Sequence, residues 1–411
     1  MQTICKINVK MKYIIILGDG MADEPIDSLG NKTPLQVADI PAMDELARLG
    51  KSGRLHTIPD GFQPGSEIAN LSVLGYNVAE VFEGRGSLEA ASMGVQILPG
   101  EMAMRCNLIS IENDRIKNHS AGHISSSEAE ELIYFLNEQL ANEKIRFYPG
   151  VSYRHLLKIK EGSKKIACSA PHDVAGMLWR DVMIHSLEPE AQETAATLNR
   201  LIEESQRLLK DHPVNRKRIA AGKDPANSVW FWSPGYKPQM KTLPELFPVR
   251  SGVVISAVDL INGIGIYAGL HPVRVEGATG LYDTNYEGKA QAALDALKDH
   301  DFVYLHVEAS DEAGHEGDVA LKIRTIENLD HRVVRPILQE VRQWKEPVTI
   351  ALLPDHPTPC RLKTHTKDAV PFVIYKPGQT PDEVSRYDEV AAHQGGYGLL
   401  KGKEFMNVLF L

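Results

Sequence analysis

The stretch Ile14-Ile15-Ile16-Leu17-Gly18-Asp19-Gly20-Met21 sets four apolar residues in succession before an acid held between two glycines. An unbroken apolar run of this kind predicts a strand buried on both faces, because a half-exposed strand would alternate. The glycines around Asp19 let the backbone approach a ligand closely. Working outward, similar β-rich runs bounded by turn residues recur at residues 252–257, 302–307, 348–353 and 372–375, with helical periodicity between several of them. Together they predict an α/β fold with a mostly parallel sheet flanked by helices, in which ligands collect beyond the carboxyl ends of the strands.

The middle of the chain reads differently. Between about residues 81 and 227 there are short strand-like stretches (106–111, 145–148 and 153–159) and two polar helical patterns (near 125–141 and 188–209). This predicts an inserted α+β domain over residues 81–227, interrupting a core made of residues 1–80 and 228–411. Residues 210–227, rich in Lys, Arg, Pro and Asn, read as the return linker.

A length of 411 residues suits two domains, or one large domain with an insertion. No apolar run approaches the roughly 20 residues of a membrane span. The formal charge of −9 comes without a basic cluster, which gives a nucleic-acid partner no electrostatic support. Residues 1–10 hold no apolar segment of signal-peptide length, and Met11 is expected as the natural start. Cys5, Cys106, Cys168 and Cys360 stand far apart without CxxC spacing, which fits a reducing cytoplasm better than a disulfide framework or a structural zinc site. Nothing in the sequence sets an oligomeric state.

The chemistry-bearing residues fall at predicted strand ends. Asp19 follows the first run. Ser66, in Pro64-Gly65-Ser66-Glu67, stands at a helix start, where it reads either as an N-cap or as a hydroxyl placed to receive an anion. Asp311 and His315 follow the 302–307 run four residues apart, so that one helical turn brings both to one ion. Asp355 and His356 follow the 348–353 run between prolines, and His365 is close behind. Singly, each such residue is more often structural or solvated than a ligand. Jointly, three acids, three histidines and a serine match what two divalent ions about 4 Å apart require to stabilise an in-line displacement at phosphorus.

Five stretches also carry a family resemblance. GDGM at residues 18–21, PGSEIANLSVLGY at 64–76, GATGLYDT at 277–284, EASDEAGHEGD at 308–318 and PDHPTP at 354–359 resemble, in order, motifs of the archaeal type of cofactor-independent phosphoglycerate mutases, in the alkaline phosphatase superfamily. The resemblance implies an alkaline-phosphatase-like core with an insert, two divalent ions (Mn²⁺ or Zn²⁺), a phosphoserine intermediate and no diffusible bisphosphoglycerate. It places one metal on Asp19, Ser66, Asp355 and His356, and the other on Asp311, His315 and His365. The substrate is then a small phosphorylated acid, 3-phosphoglycerate, whose phosphoryl group passes to Ser66 and back to the 2-hydroxyl of glycerate, with closure of the insert excluding water.

Candidate substrate contacts in the insert are Arg154, His123, His155, Arg85, His172 and Asp173, with Arg105 behind them; Arg154 leads because a guanidinium binds a carboxylate or phosphate in a bidentate manner. Two departures from the family, Asn262 and the aromatic run Trp230-Phe231-Trp232, keep open an alternative: a homoserine kinase-like phosphotransferase with the same core. A metal-binding protein without catalysis is a third reading. The intact Ser66 and complete ligand set count against it.

Overall fold

The computed structural model describes residues 11–411; the leader expected to precede Met11, with Cys5, lies outside them. The chain divides into two compact units, one formed by residues up to Phe82 together with Met240–Leu411, the other by Glu83–Gln239. In chain order the strands are β1 (Lys12–Gly18) and β2 (Lys51–His56) in the first unit. The second unit holds β3 (Glu101–Glu112), β4 (Arg115–Asn118), β5 (Ile145–Tyr148), β6 (Arg154–Lys160), β7 (Ile166–Ala167), β8 (His185–Ser186) and β9 (Ser228–Gly235). The first unit resumes with β10 (Gly252–Ile255), β11 (His271–Val273), β12 (Phe302–Val307), β13 (Val348–Leu353), β14 (Val370–Tyr375) and β15 (Leu399–Lys401).

The first unit is built on an eight-stranded sheet in the order β11-β10-β12-β1-β13-β14-β2-β15. β1 runs parallel to both neighbours, with Gly18 opposite Val307 and Leu17 opposite Leu353. Among these strands β14 alone runs against the rest. The central strands are buried on both faces. Ile14, Ile16, Leu305 and Leu352 enter one apolar cluster, while Ile15, Leu17, Tyr304 and Ala351, on alternate positions, are equally inaccessible. The continuous apolar runs have this origin. The helix Tyr286–Asp299 and the helical stretch from Val319 to Val341, the latter interrupted by a π turn at Asp330–Val334, supply buried side chains to the same cluster.

The second unit carries an antiparallel sheet, β4-β3-β6-β5 with β9 also paired to β3. Its apolar cluster joins Phe147, Leu157 and Phe231 from the sheet to Leu132 and Leu136 of the helix Ser126–Leu140 and Leu198 and Ile202 of the helix Gln192–Leu209. Two boundaries differ from the sequence reading. β9 lies with the second unit because it pairs with β3 over Ser228 to Gly235, which moves the return point to Gln239. The expected linker holds a helix, Pro213–Ala220, in which Arg218 is 2 % exposed and donates to Glu128, Ala121 O and Asp224 O. A charged side chain so fully partnered is a packing element.

Candidate active site

Three neighbouring parallel strands, β12, β1 and β13, deliver Asp19, Asp311 and Asp355 from their carboxyl ends. Asp311 stands in the first turn of the helix Ala309–Glu316 and His315 in its last, one turn apart. His315 Nε2 lies 3.2 Å from Asp311 Oδ2, His365 Nε2 lies 3.4 Å from Asp311 Oδ1, and the two histidine Nε2 atoms are 3.0 Å apart. His356 Nε2 is 3.5 Å from both Asp19 Oδ1 and Asp355 Oδ2. Ser66 Oγ sits 3.2 Å from His356 Nε2. Gly65, in extended backbone, is the N-cap of the helix Ser66–Val73, so Ser66 is its first helical residue and its hydroxyl makes no capping bond.

The electrostatics are those of a site built for cations. Asp19 is 1 % exposed; burial, then the nearby Asp355, Asp311 and Glu308 carboxylates, push its pKa well above the ordinary range. Its Oδ1 is buried without a hydrogen-bond partner. Asp311 is held well below the ordinary range: burial opposes this, but hydrogen bonds from His315 and His365 prevail. The Asp311 contact raises His315 to about 9. Two groups of ligand atoms lie mutually within 4.8 Å, Asp311-His315-His365 and Asp19-Asp311-His356. Carboxylate oxygens and imidazoles, one oxygen buried and unpaired, form a donor set that fits divalent ions, and a cation would remove the repulsion among these acids. Asp311 belongs to both groups.

A second layer, absent from the sequence reading, fixes these side chains. Asn70 Nδ2 donates to Asp355 Oδ2 (2.9 Å) and to the Ser66 carbonyl (2.8 Å), while its Oδ1 accepts from Tyr304 Oη (2.5 Å). Asp355 Oδ1 also accepts the amides of Gly20 (3.2 Å) and His356 (2.9 Å). His306 Nε2 contacts Asp19 Oδ2 at 2.8 Å and its Nδ1 contacts Ser256 Oγ at 3.1 Å. With a cation holding Asp19 ionised, the carboxylate only accepts, so the proton would sit on Nε2 and Ser256 would donate to Nδ1. Burial lowers His306 to about 3, which keeps the ring neutral. Thr358 Oγ donates to Asp311, and Ser310 Oγ donates to Asp19 O at 2.6 Å. Beneath them the fully buried Lys322 bridges the loops after β1 and β13, donating to Ala22 O, Asp23 Oδ2 and Thr358 O.

In the second unit, Arg85, Arg154, His123 and His172 form one group through aromatic neighbours. Arg85 lies over the Trp232 ring, His172 meets that ring edge-on, and both Arg154 and His123 lie against Tyr153. Asp173 is exposed beside His172, at 3.7 Å. His155 departs from the expectation. Successive residues of β6 face opposite sides, so Arg154 is exposed while His155 is 1 % exposed in the interior, with Nδ1 accepting the Gly150 amide. Burial lowers it to about 3. It is a packing histidine.

Comparison with known proteins bears on this arrangement. Residues 47–215 match the family described as 2,3-bisphosphoglycerate-independent phosphoglycerate mutase. A curated protein of that name from Methanosarcina acetivorans is 51 % identical over 401 residues, covering 97 % of this chain and 99 % of its own. The chain belongs to this mutase family. A relative from Geobacter sulfurreducens, named a probable mutase of the same kind, is 46 % identical over 97 % of this chain and 99 % of its own. Among solved structures, a Pyrococcus horikoshii protein superposes with a TM-score of 0.83 at 30 % identity, covering 98 % of this chain and 97 % of its own. The cofactor-independent phosphoglycerate mutase of Thermoplasma acidophilum gives 0.67 at 28 %, covering 97 % and 98 %. Membership of the mutase family agrees with a donor set suited to divalent cations.

For this mutase family member, a sequence signal existed for part of the second layer. Tyr304 and His306 are the polar-tipped residues of an otherwise apolar run, Phe-Val-Tyr-Leu-His-Val. A buried strand that retains a hydroxyl and an imidazole needs partners for them. Asn70 and Lys322 carried no such signal, since their partners stand up to 300 residues away. Among the described residues no helix is long and apolar enough to cross a membrane. Cys106, Cys168 and Cys360 are free thiols.

Proposed function

We propose that the chain interconverts 3-phosphoglycerate and 2-phosphoglycerate through a phosphoryl group carried on Ser66. The observation that carries the reading is the first-turn hydroxyl of Ser66, uncommitted to capping and 3.2 Å from His356 Nε2, beside a cluster of carboxylates and imidazoles. Asp19, Ser66, Asp355 and His356 would hold one divalent ion, and Asp311, His315 and His365 the other. Manganese or zinc suits this mixture of oxygen and imidazole donors. When bound, the ions supply Lewis acidity that lowers the serine pKa and offsets phosphoryl charge.

The chain's own residues do the rest. Ser66 Oγ attacks phosphorus, the bond to the 3-oxygen of glycerate breaks and the Ser66 proton passes to that oxygen, leaving phosphoserine and glycerate. The 2-hydroxyl of the retained glycerate then attacks, the Ser66 ester breaks, and the hydroxyl proton returns to Ser66. No water is consumed and no second phosphorylated cofactor is needed. Asn70 holds the Ser66 carbonyl and Asp355 at once, so nucleophile and ligand are positioned by one side chain. Arg154, Arg85, His123 and His172 are the proposed contacts for the glycerate end. The names of the relatives support mutase over kinase chemistry.

The test is Ser66→Ala. It should abolish mutase turnover in a coupled enolase assay while the protein stays folded and keeps the ion assigned to Asp311, His315 and His365. Retained turnover would remove the covalent mechanism.

A further inference from the structure

β2 and β15 end at the same edge of the core sheet as β1 and β13, since β14 alone runs the other way. β2 is two strands from β13 and β15 is three, so their ends lie about 10 and 15 Å to the side of it. A cavity of about 360 Å³ opens there, with His56, Asp60, Ser72, Tyr76, Lys401 and Lys403 in its lining, all of them from the first unit. That volume admits a small metabolite, and ligands of open α/β sheets collect beyond the carboxyl ends of the strands.

His56 and Lys401 are register partners, so both side chains leave the same face of the sheet, and Lys403 follows in the turn after β15. Among the described residues none of these three side chains makes an ion pair. Glu404, the acid next to them in sequence, accepts the Lys401 amide at 2.7 Å. Asp60 is the one acid in the lining. Ser72 is 1 % exposed, and its Oγ has no hydrogen-bond partner among the described residues. Protein interiors rarely leave a hydroxyl so, because the missing bond costs stability, and an anion in the cavity offers the acceptor. Two lysines and an imidazole against one carboxylate suit phosphate, for which lysine is a point-charge partner. A carboxylate only accepts, so Asp60 suits a hydroxyl on the same ligand.

The cavity also touches the segment that carries Ser66 at both of its ends. His56 and Asp60 belong to the stretch that enters the helix Ser66–Val73, while Ser72 lies in its last turn and Tyr76 in the turn that leaves it. Ser72 is six residues along the helix from Ser66, about 9 Å at the helical rise. We propose that this cavity is an effector site for a small phosphomonoester bearing a hydroxyl group, held by Lys401, Lys403 and His56, and that its ligand alters turnover by bracing the segment of Ser66. The effector role rests on the mutase reading; the anion site does not.

The test is NMR titration of the full-length, metal-loaded protein, carrying ¹³C-labelled histidine, with sn-glycerol 3-phosphate; His56→Gln assigns the reporting signal. A saturable shift of the His56 ring is expected, with affinity reduced roughly tenfold or more in Lys401→Ala/Lys403→Ala. Both lysines are exposed, and should the double variant still fail to fold, Lys403→Ala alone carries the comparison. No saturable shift in the wild type, or affinities within twofold, overturns the site, and an equal response to glycerol overturns its assignment to an anion. In the coupled enolase assay, saturating sn-glycerol 3-phosphate should change kcat at least twofold in the wild type and leave it unchanged in the double variant, whose basal turnover matches the wild type. A rise in KM alone is competition with substrate and overturns the effector role. Wild-type turnover without added ligand tests the mutase reading separately: a silent enzyme with a saturable His56 shift would sink that reading and leave the anion site standing.

Discussion

Replacing Tyr304 with Phe removes one oxygen and leaves the ring in place, and the effect should reach both the proposed nucleophile, Ser66, and a proposed metal ligand, Asp355. Tyr304 is fully buried, and burial followed by the Asp355 and Asp19 charges raises its pKa well above the ordinary value, so its hydroxyl is a permanent donor. It donates to Asn70 Oδ1 at 2.5 Å. Asn70 cannot compensate by rotating its amide, because Nδ2 is required by Asp355 Oδ2 and Ser66 O. The variant therefore leaves a buried carbonyl oxygen unpaired, which costs about 1–3 kcal/mol. Loosening a partner of a metal ligand typically lowers metal affinity about 10–100-fold. Urea unfolding of metal-free protein reads the first quantity, and competition with a chelating dye reads the second. Tyr76→Phe serves as control, since Tyr76 donates to Lys241 O and should lose stability alone. If Tyr304→Phe matched the wild type in metal affinity, the role given to Asn70 in holding Asp355 would be wrong.

Three further changes probe other parts of the site and its support. Gly20 has φ +60°, and a Cβ there would lie 2.5 Å from Asp311 Oδ1 and 2.7 Å from Asp311 Cα; Gly20→Ala should lose at least about 1–2 kcal/mol from the left-handed backbone and retain less metal after dialysis, and full metal retention would count against the close approach. Lys322→Met strands the buried Asp23 and should destabilise by about 3–5 kcal/mol in chemical denaturation, with the double variant Lys322→Met/Asp23→Leu recovering part of the loss; equal stability of single variant and wild type would refute this. Asp330, 0 % exposed, is raised to about 6 from 3.8 by burial, against the lowering effect of the Met43 and Ala42 amides. The folded state thus holds this proton more tightly than the unfolded state, so the stabilisation is complete below about pH 4 and lost as pH rises through 6, up to about 3 kcal/mol. Asp330→Asn, which cannot titrate, should show a flatter stability profile from pH 4 to 7, and parallel profiles would exclude the assignment.

The core of the fold was legible because its physics is local. Strands buried on both faces must be continuously apolar, and residues 13–17, 302–307 and 348–353 are; they became β1, β12 and β13. β2, with the sequence Lys-Ser-Gly-Arg-Leu-His, lies next to the edge strand β15 and has too little apolar character to be read as a strand. β9 was not read as a strand, although its Val-Trp-Phe-Trp run is apolar, and only its pairing with β3 decides which sheet it joins; pairing across more than 100 residues leaves no local trace. The acids and histidines of the site were visible as chemistry standing at strand ends. Their supports were not, because Asn70 and Lys322 read as ordinary helix residues until the chain brings Asp355 and Asp23 to them. His155 could have been separated from Arg154 by strand alternation alone.

The central claim, that this chain moves a phosphoryl group between the two hydroxyls of glycerate through its own serine, is tested most directly by phosphorus NMR. Purified manganese-loaded protein is mixed with 3-phosphoglycerate in the absence of bisphosphoglycerate, with homoserine plus ATP in a parallel tube. The account predicts a 2-phosphoglycerate signal that grows to equilibrium in the first tube, and none with Ser66→Ala. A silent first tube with phosphohomoserine and ADP appearing in the second would contradict it.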